Sequence, residues 1–262
     1  VPQNGQLLKQ CLLDYAQHWN LEEGFIQFIE QQISCSSLVD RIVAGYSTEE
    51  AEKLVVESGL QDDLLVSGEH YHSWVIQAPE SVAEEIPVHK TDLNVQFGAH
   101  TSIVPIGYLR GNKTVLDAMQ DEALKAFLMA ELAEEIIPSL DFDKQELQAF
   151  ASAVIDRFCN PSLQHYLLDI SLNSTTKFVT RLLPSLLSFH QKNQALPTRI
   201  VFALAALFRY YQGNWKGEDI PLRDNPEHIV FFKESWEKHG QQLDILVETL
   251  LSNTEIWGRD LN

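Results

Sequence analysis

The sequence is short of cysteine, of basic residues, of paired glycines and of long apolar runs, and each shortage excludes something. Its three cysteines, Cys11, Cys35 and Cys159, are an odd number with no CxxC and no histidine pair at metal-ligand spacing. That pattern suggests neither a disulfide framework nor a structural metal site and fits a reducing, cytoplasmic setting. Nineteen basic against thirty-seven acidic side chains leave a net charge of −18, which repels polyanions, so no nucleic acid partner is expected. The longest apolar run, about Ile200 to Phe208, falls far short of the roughly 20 residues of a spanning helix, and no membrane partner is expected. None of the twelve glycines forms a G-x-G pair, so the dinucleotide phosphate fingerprint is missing. The opening VPQNGQLLKQ has neither a charged nor an apolar leader region, and no secretory signal is expected.

What is present is a globular composition, with 262 residues and 45% hydrophobic side chains, enough for one large domain or two smaller ones. Apolar spacing predicts helices over Gln6 to Trp19 and on toward Ile33, with a capping box at Asn20 and Glu23 and another at Ser47 and Glu50. The stretch from Leu64 to Phe97, containing HYHSWVIQA and LNVQF, is rich in β-branched and aromatic residues and predicts one or two strands. GAHTSIVPIGYLRG follows with no assigned element. Helices are then predicted at about 114–119, 121–137, 143–158, 163–189, 198–212, 226–238 and 241–252, with Asp143 and Glu146 and the Pro197 start as the clearer boundaries. Pro184 should kink or end its helix. The fold class is therefore mainly α with a small β element near 64–97.

If 163–189 is one helix, Asn173, Lys177 and Arg181 recur every four residues as a polar stripe. Two cations one turn apart can hold a carboxylate or phosphate, with an amide beside them for a carbonyl or hydroxyl. A solvated helix face is the commoner role of such residues. The run Glu131, Glu134, Glu135 reads as a solvated face, and Tyr108, Trp74 and Trp215 read as packing residues.

Three segments, CSSLVDRIVAGY (35–46), GAHTSIVPIGYLRGNKTVLDAM (98–119) and DRFCNPSLQHYLLDISLNSTTKFVTRLLPSLL (156–187), resemble the long-chain, metal-independent polyol dehydrogenases of the mannitol dehydrogenase family. Within it, EEIIPSLDF, LNSTTKF and FALAALFRYYQG resemble the branch that reduces tagaturonate, a keto sugar acid, to altronate. The resemblance implies an N-terminal Rossmann domain that binds NAD and a helical substrate domain. Because no G-x-G pair is present, the expectation is the C-terminal part of a longer enzyme. Residues 1–97 would be the tail of the N-terminal or linking region, with helices and one or two strands, and 98–262 the helical substrate domain, with the Rossmann domain outside this chain.

Residue by residue, the resemblance implies that His100 is the catalytic histidine and that Lys177 grips substrate. It implies that Asn173 hydrogen-bonds substrate, and that Asp40 anchors either substrate or, with Arg41, a structural ion pair. Arg181 or Arg157 would meet a uronate carboxylate. Cofactor-binding residues are left unassigned and no metal is implied. Two departures stand out. The position eight before the lysine, an arginine in mannitol-type enzymes, is Asp169. The pattern Lys-x4-Asn-x2-His, counted back from His100, lands on Phe97 and Asp92, which can neither hold the reacting oxygen nor transfer the proton. A segment missing between Phe97 and Gly98 is the favoured explanation, and Lys90 is not promoted to catalytic base. A non-catalytic helical binding module is the rival reading.

Overall fold

The computed structural model describes residues 4–40, 43–45, 48–60, 62, 66–68, 73–77, 94–140, 143–162 and 165–262. Contacts divide the chain into two units, Val1–Thr91 and Asp92–Asn262.

In the first unit, helices α1 (Asn4–His18) and α2 (Glu23–Gln31) pack on each other around Ala16 and Ile29. Lys9 Nζ donates to the Glu30 and Gln32 carbonyls at the end of α2, at 2.7 and 2.9 Å, satisfying oxygens that the helix leaves open. The expected capping box at Asn20 is corrected. Asn20 is left-handed (φ 51) and its N–H closes on the Gln17 carbonyl, so it terminates α1, while Glu22 precedes α2 without a side-chain cap. Ser47 lies outside the described residues. Strand β1 (Ser36–Asp40) and strand β2 (Val43–Gly45) come from the 35–46 segment, and helix α3 spans Thr48–Ser58. Strand β3 (Val66–Gly68) pairs antiparallel with β2, and β4 (Ser73–Gln77) with β1, in a register that sets Leu38 opposite Val75.

The second unit is built around one helix that the sequence reading missed. Helix α4 runs Asn94–Arg110, so the residues of LNVQF from Asn94 onward are helical rather than extended. Every residue from 98 to 107 is buried. A helix covered on all sides has no polar face, hence no 3.6-residue pattern to read. Gly98 and Gly107 make the close approaches possible. A Cβ on Gly107 would lie 3.0 Å from Leu167 Cδ1, and one on Gly98 would lie 3.3 Å from Leu182 Cδ2. Pro105 inside α4 lacks an N–H for the Thr101 carbonyl one turn back.

Around α4 stand α5 (Val115–Gln120), α6 (Glu122–Glu131), a π-helical turn (Leu132–Ile136) and α7 (Ile137–Ser139). Then come α8 (Lys144–Phe158), α9 (Leu167–Ile170), α10 (Ser174–Arg181), α11 (Leu183–Asn193) and α12 (Thr198–Tyr210). The chain closes with the two-residue strands β5 (Asn214–Trp215) and β6 (Glu218–Asp219), then α13 (Pro226–His239), α14 (Leu243–Leu251) and α15 (Thr254–Trp257). Helices α6, α8, α9, α10 and α12 all pack on α4. Asp143 caps α8 as the sequence predicts, accepting from the Gln145 and Glu146 N–H groups. The single helix expected over 163–189 is three. Asn173 is left-handed before α10, and Leu182 separates α10 from α11, which carries Pro184 in its first turn.

The run Glu131, Glu134, Glu135 is not a solvated face. Glu134 is 63% exposed, but Glu131 and Glu135 are 0% and 3% exposed, because the π turn widens the spiral and keeps both pointed inward. Glu135 accepts from the Arg199 and Ile200 N–H groups at 2.9–3.0 Å, capping α12 from another helix. Among the described residues Glu131 accepts only from Ser102 Oγ, at 2.9 Å, and its second oxygen is buried without a partner there. Burial therefore raises its pKa from the ordinary 4.5 to about 8, with the Glu135 charge adding to the effect and the Ser102 bond opposing it. Between pH 4.5 and about 8 the folded chain holds a proton that the unfolded chain has lost. Stability from this group should then fall as pH rises through that window. Urea midpoints measured from pH 5 to pH 8.5 should decline in the native protein and stay flatter in Glu131→Gln; parallel profiles would contradict a protonated Glu131.

Candidate functional site

His100 sits on α4 at 5% exposure, its ring stacked on Phe158 at 4.1 Å and edge-on to His165 at 5.3 Å. Its Nε2 is buried with no hydrogen-bond partner. Burial holds its pKa well below the usual histidine value, and the positive charges of His165, Arg181, Arg157 and Lys177 push it lower still. The imidazole is therefore neutral, and every charge named as acting on it is positive. Those charges arrive from separate places. Arg157 comes from the last turn of α8 and His165 from the segment before α9, while Lys177 and Arg181 lie one turn apart on α10.

Lys177 is half-buried, with Nζ donating to the Ile170 carbonyl at the end of α9, 2.6 Å away. Burial lowers its pKa from 10.5 to about 8, the neighbouring Arg181 adds to this, and Asp224 opposes it. Arg181 reaches Thr101 Oγ1 at 3.5 Å, one residue along α4 from His100, and burial lowers its pKa as well. The fold thus brings His100, Lys177, Arg181 and Arg157 together. A neutral imidazole beside an ammonium and guanidinium groups can bind a carboxylate and direct a ring nitrogen at a hydroxyl or carbonyl.

The other expected site residues fall differently. Asn173 does not extend the stripe. It is exposed, its backbone N–H is bonded to the Arg223 carbonyl at 2.8 Å, and its carbonyl accepts from the Lys177 N–H. Asp40 ends β1 opposite Ser73, with only its backbone described. Asp169 pairs with Arg223 at 3.2 Å on the surface. Phe97 runs directly into Gly98 within α4, while Lys90, Asp92 and Arg41 lie outside the described residues. Sequence reasoning passed over His165, which follows Arg157 by eight residues in the quoted 156–187 segment. It also passed over Asp224, whose only local signal is the turn-forming Asp-Asn-Pro ahead of α13. Among the described residues no three His, Cys, Asp or Glu side chains converge as a metal site.

Residues 90–262 match the family model of the mannitol dehydrogenase C-terminal domain, and residues 1–90 match that of the mannitol dehydrogenase Rossmann domain. This chain belongs to the mannitol dehydrogenase family. Altronate oxidoreductases of Yersinia enterocolitica and Shigella flexneri are each 42% identical to it over alignments of 281 positions, covering all of this chain and 58% of theirs. The chain thus spans little more than half the length of these relatives. Alignments longer than its 262 residues also mean that the relatives carry residues with no counterpart here. Mannitol 2-dehydrogenase of Pseudomonas fluorescens, solved as a ternary complex with NAD and D-mannitol, superposes with a TM-score of 0.73 at 22% identity, over 98% of this chain and 54% of that one. A D-sorbitol dehydrogenase superposes at 0.71 with 20% identity, over all of this chain and 61% of that one. These two likenesses establish the fold.

The Rossmann match corrects the expectation that this domain is absent from the chain and available only as a separate N-terminal partner. Residues of it are present, and the reading failed because the glycine fingerprint that announces such a domain is not among them. A bound pyrophosphate favours helix N-termini free of negative charge. Among the described residues of 1–90, α2 opens on Glu22 and Glu23, and α3 carries Glu49 and Glu50 in its first turn. Gly5, in the first turn of α1, is pressed against Cys35, whose carbonyl a Cβ would strike. These residues of the mannitol dehydrogenase fold do not fit a dinucleotide pyrophosphate.

A histidine with a depressed pKa stabilises the fold fully above pH 6.5 and loses that contribution as pH falls below it. In a heteronuclear NMR titration of the ring carbons, His100 should stay neutral to well below pH 6.5; a midpoint at or above that value would refute the buried, positively ringed geometry.

Proposed function

We propose that this chain serves the oxidoreduction of an anionic keto sugar, the reduction of tagaturonate to altronate in cytoplasmic hexuronate breakdown. Residues 98–262 form the substrate-holding part and 1–97 the tail of the N-terminal region, which includes the stretch that matches the Rossmann model. The observation that carries this reading is the gathering of Lys177, Arg181 and Arg157 around the neutral, buried His100 in a chain of net charge −18. In so acidic a protein, such a focus of positive charge attracts a small carboxylate. Lys177 and Arg181 grip the sugar-acid carboxylate, and His100 Nε2 meets a hydroxyl or carbonyl of the same molecule. Asn173 and Asp40 contribute further polar contacts in this reading. The naming of the 42%-identical relatives as altronate oxidoreductases supports the substrate. Asp169, where mannitol-type enzymes carry arginine, weighs against direct transfer of the mannitol pocket, and a mannitol- or fructuronate-type polyol dehydrogenase is the alternative.

NAD is the hydride carrier of this reading, supported by the Rossmann match. The described residues supply no cradle for it, so no step is assigned to them in handling it. No proton-transfer lysine is assigned either, since Asp92 and Phe97 occupy the positions of the family pattern. That second fact favours a rival of another class, a helical module that binds the sugar acid without turning it over.

Calorimetry with altronate and mannitol, together with NADH oxidation in the presence of tagaturonate or fructose, separates the readings. Altronate should bind and mannitol should not. Lys177→Met should weaken altronate by roughly 10-fold or more, the scale of one charged hydrogen bond. This chain alone should not turn over; in the full-length protein, NADH oxidation with tagaturonate supports the enzyme, and altronate binding without oxidation supports the module. Absence of altronate binding would overturn both.

A further inference from the structure

Helix α10 carries Lys177 and Arg181 yet opens without a cap of its own. Asn173, left-handed at φ 56 and ψ 44, directs no side-chain hydrogen bond to the first turn, so the N–H groups there need an acceptor from elsewhere. Asp224 supplies it. One carboxylate oxygen, Oδ2, accepts from both the backbone N–H and the hydroxyl of Thr175, each at 3.0 Å, and from the Tyr211 hydroxyl. Oδ1 accepts from the Asn225 N–H at 2.7 Å, and His228 Nδ1 stands 3.8 Å from it. The same Nδ1 is 2.9 Å from the Thr175 hydroxyl. With the hydroxyl proton directed at Asp224, Nδ1 of His228 is the donor in that contact. The Asp224 side chain is only 1% exposed, and a carboxylate so buried persists because donors from α10, the end of α12 and the start of α13 surround it.

We propose that Asp224 is a positioning residue of the anion site: it caps α10 from across the fold and so holds the helix that presents Lys177 and Arg181. This rests on Lys177 as a ligand contact, the reading given above. Asp224 acts through the helix and does not touch the ligand. The charged and titratable groups that bear on Lys177 are Arg181 on its own helix, His100 on α4, and Asp224 ahead of α13, the last held by His228 and Tyr211. Of these, Asp224 alone is negative. Burial also raises the Tyr211 pKa, so its hydroxyl remains a donor and does not become a competing anion.

The sign of the effect follows from Lys177 titrating near 8 rather than 10.5, with Asp224 as the opposing charge. Removing that charge moves the midpoint further down. The test is an NMR titration of lysine-labelled full-length chain, with the Lys177 signal assigned through Lys177→Arg. Asp224→Asn, which keeps one acceptor oxygen, should lower the Lys177 midpoint by about half a pH unit or more, and Asp224→Glu should restore it. Tyr211→Phe leaves the Asp224 carboxylate in place and removes one donor dipole that offsets its field, and there the midpoint should rise. Lys177 midpoints unchanged in Asp224→Asn, or in Tyr211→Phe should Asp224→Asn fail to fold, would overturn the role. Altronate calorimetry on the same proteins should show a larger loss of affinity for Asp224→Asn at pH 8.5 than at pH 6.5. If the native chain binds no altronate while the Lys177 midpoint still moves, the substrate reading falls and the positioning role stands. If altronate binds and the midpoint does not move, the positioning role falls alone.

Discussion

Burial of α4 around its whole circumference is the constraint on which the second unit depends. Helices α6, α8, α9, α10 and α12 pack on it, and Gly98 and Gly107 leave room for the close approach of Leu182 and Leu167. The same burial forces its polar side chains to find partners. Ser102 donates to Glu131, and Thr101 receives Arg181. His100 Nε2 finds none. A buried polar atom left unpaired costs about 1–3 kcal/mol, and such atoms persist where a ligand is to meet them. The structural centre of the unit and the centre of its candidate site are therefore one helix.

Electrostatics at that centre run opposite to the chain as a whole. Lys177, Arg181 and Arg157 act on His100 in a protein of net charge −18. Burial works in one direction on both bases, leaving His100 neutral and bringing the Lys177 ammonium down to a pKa of about 8. The acids of the unit are sorted by their surroundings. Glu135 accepts two backbone N–H groups in the first turn of α12, and Asp224 accepts one N–H and one hydroxyl in the first turn of α10 with a further N–H from its neighbour Asn225. Glu131, four residues before Glu135, faces apolar core with one hydroxyl donor and keeps its proton to about pH 8. The three buried carboxyl groups thus differ in how many donors reach them.

Which of these features could be read beforehand depends on how far the deciding atoms lie apart in sequence. The cap at Asp143 and the amphipathic helices α8, α12 and α13 were legible because their determinants sit within a few residues. Helix α4 was not, since an all-round apolar helix with two glycines and a proline has the local look of a loop. The break at Asn173 was hidden as well. Its left-handed backbone is fixed by the Arg223 carbonyl, a partner that local pattern cannot announce. Asn20 misled in the opposite direction, because an asparagine that ends one helix looks the same as one that begins the next.

By itself the sequence determined the family, through three motif segments, and the mainly helical class, through spacing that repeats within single turns. It also marked His100, Lys177 and Arg181 as residues of interest. The tertiary structure decided which of them meet, that Glu131 keeps its proton to about pH 8, and that α10 borrows its cap from Asp224. Each of these depends on desolvation and on contacts between segments tens of residues apart, and neither quantity is carried by the local order of side chains.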